Sequence, residues 1–153
     1  MTIKTLGVIG AGTMGNGIAQ AAAQAGLEVV MQDIMPEAVE RGLAAIGTSL
    51  DRLIKKEKLD EAGKAAALTR IRGTTDVAAL RDADLVIEAA TERESVKAQV
   101  LRNVEAVVRS QAILATNTSS ISITRLAASL KDPSRFVGMH FFNPVPMMAL
   151  VEI

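Results

Sequence analysis

The sequence predicts an α/β fold, a doubly wound and mostly parallel sheet with helices on both faces. Three observations predict it. Short apolar runs alternate with longer amphipathic ones along the chain, the pattern of strands joined by crossover helices. The first run leads straight into Gly10-Ala11-Gly12-Thr13-Met14-Gly15, a strand–turn–helix junction. The second ends on an acid, Asp33, twenty-three residues after Gly10.

Composition narrows the functional classes. The 153 residues suffice for one domain with a sizeable core, and 49% apolar content argues against disorder. Seventeen basic residues balance seventeen acidic ones, so neither nucleic acid nor an anionic membrane is an expected partner. Cysteine is absent, which excludes disulfides and thiolate catalysis. With one histidine as well, a metal site is not expected. No apolar run would span a bilayer. The first strand begins almost at the N-terminus, with no room for a signal peptide, so a cytoplasmic location is expected.

The elements follow in order. Leu6–Ile9 reads as a buried parallel strand. The helix after the glycines places Ile18, Ala22 and Ala25 at helical spacing. Glu28–Gln32 is the next strand, and a helix runs from Pro36 through Leu53. A second helical piece, Asp60 to Arg70, follows a charged stretch. Together they make a longer excursion than a crossover needs, read as an arm over about 47–70 that projects from the sheet. Its lysines also suit a solvated helix C-terminus. Arg72–Thr75 is a short run and Asp84–Ala90 a strand. Glu94–Val108 is an amphipathic helix with Val96, Val100, Val104, Val107 and Val108 on or near one face. Ala112–Thr116 is a strand, Ile123–Leu130 a helix, and Phe136–His140 a strand. Leu150–Ile153 opens one more, and an ending inside an apolar strand implies the front part of a longer protein.

The glycine turn carries the first chemistry. Gly10 permits the tight turn, Gly12 lets backbone approach a pyrophosphate, and Gly15 lets helix and strand pack closely. The helix N-terminus, at Thr13 and Met14, offers N–H groups and a partial positive charge to that pyrophosphate. Asp33 stands where a dinucleotide site wants an acceptor for the adenosine ribose hydroxyls. A carboxylate there repels a 2′-phosphate, which favours NAD over NADP. Asp33 also suits a cap for the next helix. Other polar residues gather where strands end, which is where open α/β sheets bind ligands. They are Glu92, Asn117, Ser119 and His140, with Glu152 on the strand beyond. Imidazole titrates near neutrality, so His140 suits a base for alcohol oxidation. It equally suits a core histidine bonded to backbone. Glu152 is the best partner by position, with Glu88 and Glu92 left open by spacing. Ser119 suits a hydrogen bond to a reacting oxygen, and also ordinary helix capping.

Asn117-Thr118-Ser119-Ser120 and Met139-His140-Phe141-Phe142-Asn143-Pro144-Val145-Pro146 are more selective than the glycine turn. Through them the whole chain closely resembles the NAD-binding domain of the 3-hydroxyacyl-CoA dehydrogenases, the bacterial 3-hydroxybutyryl-CoA dehydrogenases above all. The resemblance implies a Rossmann-type domain over 1–153 that interconverts (S)-3-hydroxyacyl-CoA and 3-oxoacyl-CoA with NAD. It implies His140 as the base paired with Glu152, and Ser119 on the substrate oxygen. It implies Glu92, Lys97 and Asn143 around the nicotinamide and its ribose, Ala89 close by, and Asp33 on the adenosine ribose. Ser49 and Lys56 match positions that contact coenzyme A in the family, and two helical turns apart they face the same way. The family also carries a second, all-helical domain that supplies part of the acyl pocket and the dimer interface. A full-length homodimer is therefore implied, with a 153-residue NAD-binding module without turnover as the alternative.

Overall fold

A computed structural model describes residues 1–153. Six strands form one parallel sheet: β1 (Thr5–Ile9), β2 (Glu28–Gln32), β3 (Ile71–Thr74), β4 (Leu85–Glu88), β5 (Ile113–Thr116) and β6 (Phe136–Gly138). Their spatial order is β3-β2-β1-β4-β5-β6. The order reverses direction beside β1, so a crevice opens at the carboxyl ends of β1 and β4, where ligands of this architecture sit. Val8 pairs with Met31 on one side and Ile87 on the other.

Alternation along the strands divides the core in two. Val8, Ile87 and Ala115 pack toward helices α1 (Thr13–Gln24), α2 (Pro36–Lys55) and α3 (Glu61–Thr69), through Ile18, Ile46, Leu50 and Ala67. Ile9, Val86 and Leu114 pack the other way, toward α4 (Glu94–Glu105) and α5 (Ile123–Ala127), through Leu101, Val104 and Leu126.

The structure corrects the expected helix faces. On α1 the buried row is Ile18, Ala19 and Ala23, while Ala22 is half-buried and Ala25 is exposed. The contact of Gly15 with the glycine turn sets the rotation of this helix. A Cβ there would run into the carbonyl oxygen of Gly10, so the inward face continues at i+3, i+4 and i+8 from Gly15. On α4, which ends at Glu105 rather than Val108, Lys97 replaces Val96 on the inward face. Val96 is exposed. The excursion over 47–70 is a helical hairpin whose limbs are anchored on α1. Leu50 and Ala67 are buried, and the Arg70 guanidinium donates to the Ala23 carbonyl at 3.1 Å. The Lys64 ammonium donates to Asp51 at 2.5 Å and joins the two limbs. Helix α5 also stops earlier than expected, at Ala127, although Leu130 remains buried.

The expected strand Phe136–His140 is two elements. After Gly138 the chain leaves the sheet, and β7 (His140–Phe141) pairs antiparallel with β8 (Val151–Glu152) in a separate ribbon.

At the opposite end of the sheet, Asp84 pins the N-terminus. Its carboxylate accepts the N–H groups of Thr5 at 2.9 Å and Lys4 at 2.8 Å, and the Arg109 guanidinium at 2.8 Å. The Thr5 and Lys4 amides, and then Arg109, hold this carboxyl below its ordinary range. The folded form binds a proton less readily than the unfolded form. The stabilisation is therefore present above the ordinary carboxylate value and is lost as pH falls through the lowered one. Replacing Asp84 by Ala is expected to cost about 1–3 kcal/mol at neutral pH, from the unsatisfied donors. The difference should shrink below about pH 4, as read by urea unfolding of both proteins at each pH.

Candidate active site

The glycine turn between β1 and α1 is shaped by contacts rather than by flexibility. Gly10 has φ +97°, and a Cβ there would lie 2.7 Å from the Ala89 carbonyl oxygen. Only glycine allows this loop to lie against the end of β4. Gly12 is the reverse case: a Cβ there would meet nothing within 4 Å. It is the N-cap of α1, makes no side-chain cap bond, and is followed by a first turn without an acid. The turn thus presents bare backbone and the uncapped helix end at Thr13 and Met14 to open space, a cradle that fits a pyrophosphate.

Although the N-cap of α2 is Met35, without a side-chain cap bond, Asp33 accepts two backbone N–H groups with its two oxygens. Its Oδ1 accepts the Met35 N–H at 3.0 Å and turns the chain toward α2. Its Oδ2 accepts the Ala11 N–H at 2.9 Å and ties β2 to the glycine turn. It also lines a cavity of about 560 Å³ with apolar walls at Ile34, Val77, Val96 and Val100. A carboxylate beside an apolar slot suits a ribose joined to a flat base. The exposed Ile34 and Val96 both line this cavity. Sequence reasoning passed over Ile34, although an Ile next to the acid was the available signal, and counted Val96 only toward a helix face.

Across the crevice, β4 and β5 end side by side. The Ala89 N–H continues the sheet by donating to the Ile9 carbonyl at 2.7 Å. Glu92 accepts the hydroxyls of Thr118 at 2.8 Å and Ser120 at 3.2 Å, joining the two loops. Ser119 lies exposed between those hydroxyls. His140 and Glu152 are directly opposite in the β7–β8 ribbon. The His140 Nδ1 lies 3.6 Å from the Glu152 Oε2, with the imidazole 25% and the carboxylate 71% exposed. The Phe142 ring packs on the imidazole at 4.5 Å between centroids. Asn143 is exposed just beyond. Of the three carboxylates considered for His140, Glu152 is beside it. Glu92 is held by hydroxyls, and Glu88 is buried elsewhere.

Lys97, which the resemblance puts around the nicotinamide and its ribose, has a fully buried side chain. Its ammonium is buried and donates to Glu88 Oε2 at 2.5 Å. The same oxygen accepts the Thr116 hydroxyl at 2.8 Å, and Oε1 accepts the Ala90 N–H at 2.8 Å. The pair lies beneath the loops instead of on them, and Glu88 joins Lys97 to the end of β5 and to the Ala90 backbone. Replacing Lys97 by Met should cost about 3–5 kcal/mol by stranding a buried carboxylate. Adding Glu88→Gln should recover much of that loss, and denaturant titration of the single and double variants checks both.

The hairpin supplies a third region. Ser49, Arg52, Lys56 and Lys58 line a groove of about 310 Å³ opposite Pro144 and Pro146. Ser49 and Lys56 do share one face. Arg52 was overlooked although it follows Ser49 by three, and Lys58 was merged into the lysine cluster. The turn that carries the prolines rests on α1, where a Cβ at Gly17 would sit 3.0 Å from the Val145 Cβ. Gly17 was also missed, hidden beside the better-known three glycines.

A family model described as the NAD binding domain of 3-hydroxyacyl-CoA dehydrogenase matches residues 5–153. A 3-hydroxybutyryl-CoA dehydrogenase of Bradyrhizobium diazoefficiens is 50% identical over 99% of the chain and 52% of its own length. A 3-hydroxyadipyl-CoA dehydrogenase of Escherichia coli is 46% identical over 100% of the chain and 32% of its own length. Among solved structures, (S)-3-hydroxybutyryl-CoA dehydrogenase from Ralstonia eutropha superposes with TM-score 0.96 at 59% identity, over 98% of this chain and 53% of that one. The chain spans about half the length of the 3-hydroxybutyryl-CoA dehydrogenases that it matches.

Proposed function

Because the chain belongs to the 3-hydroxyacyl-CoA dehydrogenases, as their NAD-binding domain, we propose that it carries the redox half of an enzyme that interconverts (S)-3-hydroxyacyl-CoA and 3-oxoacyl-CoA. The acyl chain is short, as in 3-hydroxybutyryl-CoA. One observation carries the proposal: His140 and Glu152 face each other across a ribbon at the end of the sheet that holds the open glycine cradle.

Gly10, Gly12 and Gly15 shape the loop under the pyrophosphate, with the N–H groups at Thr13 and Met14 donating to it. Asp33 accepts from the adenosine ribose. Ala89, Glu92 and Asn143 border the nicotinamide ribose. Bound NAD supplies the acceptor for hydride leaving the substrate carbon. His140 takes the hydroxyl proton at Nε2. Glu152, whose Oε2 is 3.6 Å from Nδ1, orients the imidazole. Ser119 donates to the reacting oxygen as charge develops. Ser49 and Lys56 hold the coenzyme A portion along the groove. The acyl pocket and a homodimer interface belong to a helical domain beyond the NAD-binding one, and the enzyme works in the cytoplasm. No helix here is long and apolar enough to cross a membrane.

The exposure of Ser119 and Glu152 also favours a module that binds NAD without turning over substrate by itself. A chimera tests both. Residues 1–153 are joined to the second half of the Ralstonia eutropha relative and mixed with NAD and 3-hydroxybutyryl-CoA. NADH formation by the chimera is expected, with NAD binding but no NADH from the chain alone. A folded chimera that binds NAD yet forms no NADH overturns the assignment of the reaction.

A further inference from the structure

We propose that Asn117 is a positioning residue for His140, holding the imidazole in place through a side-chain rung that extends the sheet. The proposal rests on the reading of His140 as the base and deepens it. In the parallel ladder, Thr116 is opposite Gly138, and the Thr116 carbonyl accepts the Met139 N–H at 2.9 Å. In a regular parallel ladder the next bond donated from this side would run from the Phe141 N–H to the Thr118 carbonyl. The chain has already left the sheet by then. The Asn117 Oδ1 takes the Phe141 N–H instead, at 2.8 Å. His140 is the residue between these two rungs, so its backbone is fastened on both sides.

The fastening point is itself rigid. Asn117 is buried, and its own N–H donates to the Glu88 carbonyl at 2.9 Å within the sheet. Its neighbour Thr116 is bonded to the buried Glu88 carboxylate. The ribbon that carries His140 is, by contrast, two residues a side and a quarter to mostly exposed at the pair itself. A ribbon that short has little stability of its own. The distance from His140 to Glu152 therefore depends on a bond made by neither. With it lost, the ribbon is free to shift against β5, and a displacement of an ångström suffices to spoil proton transfer.

The chain has a single histidine, so the ring nitrogens can be followed by NMR without assignment. At a pH where the ring is neutral, the parent chain should show one dominant tautomer. Asn117→Ala should give a mixed tautomer while retaining NADH binding and cooperative unfolding. Asn117→Asp keeps an oxygen acceptor and should keep the parental tautomer. It also serves if the Ala variant fails to fold, because a mixed tautomer in folded Asn117→Asp counts against the proposal. In the chimera, Asn117→Ala should lower kcat about 10- to 100-fold with KM for NAD within about twofold. An Asn117→Ala chain with the parental nitrogen shifts, or a parent with mixed tautomers, overturns the positioning role. That result is separate from the base assignment, which stands or falls on turnover after His140 itself is replaced.

Discussion

Gly12→Val is expected to lower NAD affinity by about 100-fold or more, which is near 3 kcal/mol, while the chain keeps its fold. Gly15→Ala is expected to damage the fold itself. The two glycines belong to one motif, yet their surroundings are opposite. A side chain at Gly12 has no protein atom to strike, so valine there fills only the space that the pyrophosphate needs. The uncapped end of α1 then loses its approach to phosphate oxygens. A methyl at Gly15 collides with the Gly10 carbonyl, a backbone atom that cannot rotate aside. Prising α1 from the turn should cost about 1–3 kcal/mol or more. Thermal unfolding separates the variants, and NADH fluorescence titration measures the affinity. Parental affinity in Gly12→Val would falsify the placement of the pyrophosphate over this turn.

His140→Gln in the chimera is expected to reduce kcat by about 100- to 10,000-fold, the range for loss of a general base. NAD affinity should stay within about twofold, since His140 is outside the cradle formed by residues 10–15. Glutamine preserves bulk and polarity but has no nitrogen that takes up a proton at neutral pH. Glu152→Gln should produce a smaller loss, because the base remains and only its orientation and charge stabilisation suffer. Steady-state kinetics with 3-hydroxybutyryl-CoA decide the matter. A kcat for His140→Gln within about threefold of the parent would remove His140 from the base role, given the size of effect expected of one.

How much of this was legible in the sequence depends on how local each cause is. The glycine turn and Asp33 were readable because strand, turn, helix and acid lie within about thirty residues, the length of one βαβ unit. Alternating periodicities pointed to the parallel α/β class, but the spatial order of the six strands is a long-range property that they do not carry. The burial of Lys97 was not legible because its partner Glu88 sits on another element. The choice among Glu88, Glu92 and Glu152 stayed open for the same reason. The break between β6 and β7 was invisible in the apolar run from Phe136 to Phe141. The Asn117 Oδ1 that takes the Phe141 N–H beyond the break lies twenty-four positions earlier. Helix periodicity found the hairpin, but not that Leu50 and Ala67 seat its limbs on α1.

The double duty of Asp33 bears on attempts to retune which coenzyme the protein uses. A designer seeking acceptance of a phosphorylated ribose would first neutralise this acid to remove the repulsion. That same exchange deprives the Ala11 amide of its acceptor and slackens the loop on which either coenzyme must lie. Successful redesign therefore calls for a replacement that still accepts from Ala11, such as Asn, with the new cation brought in from a neighbouring position and not from residue 33.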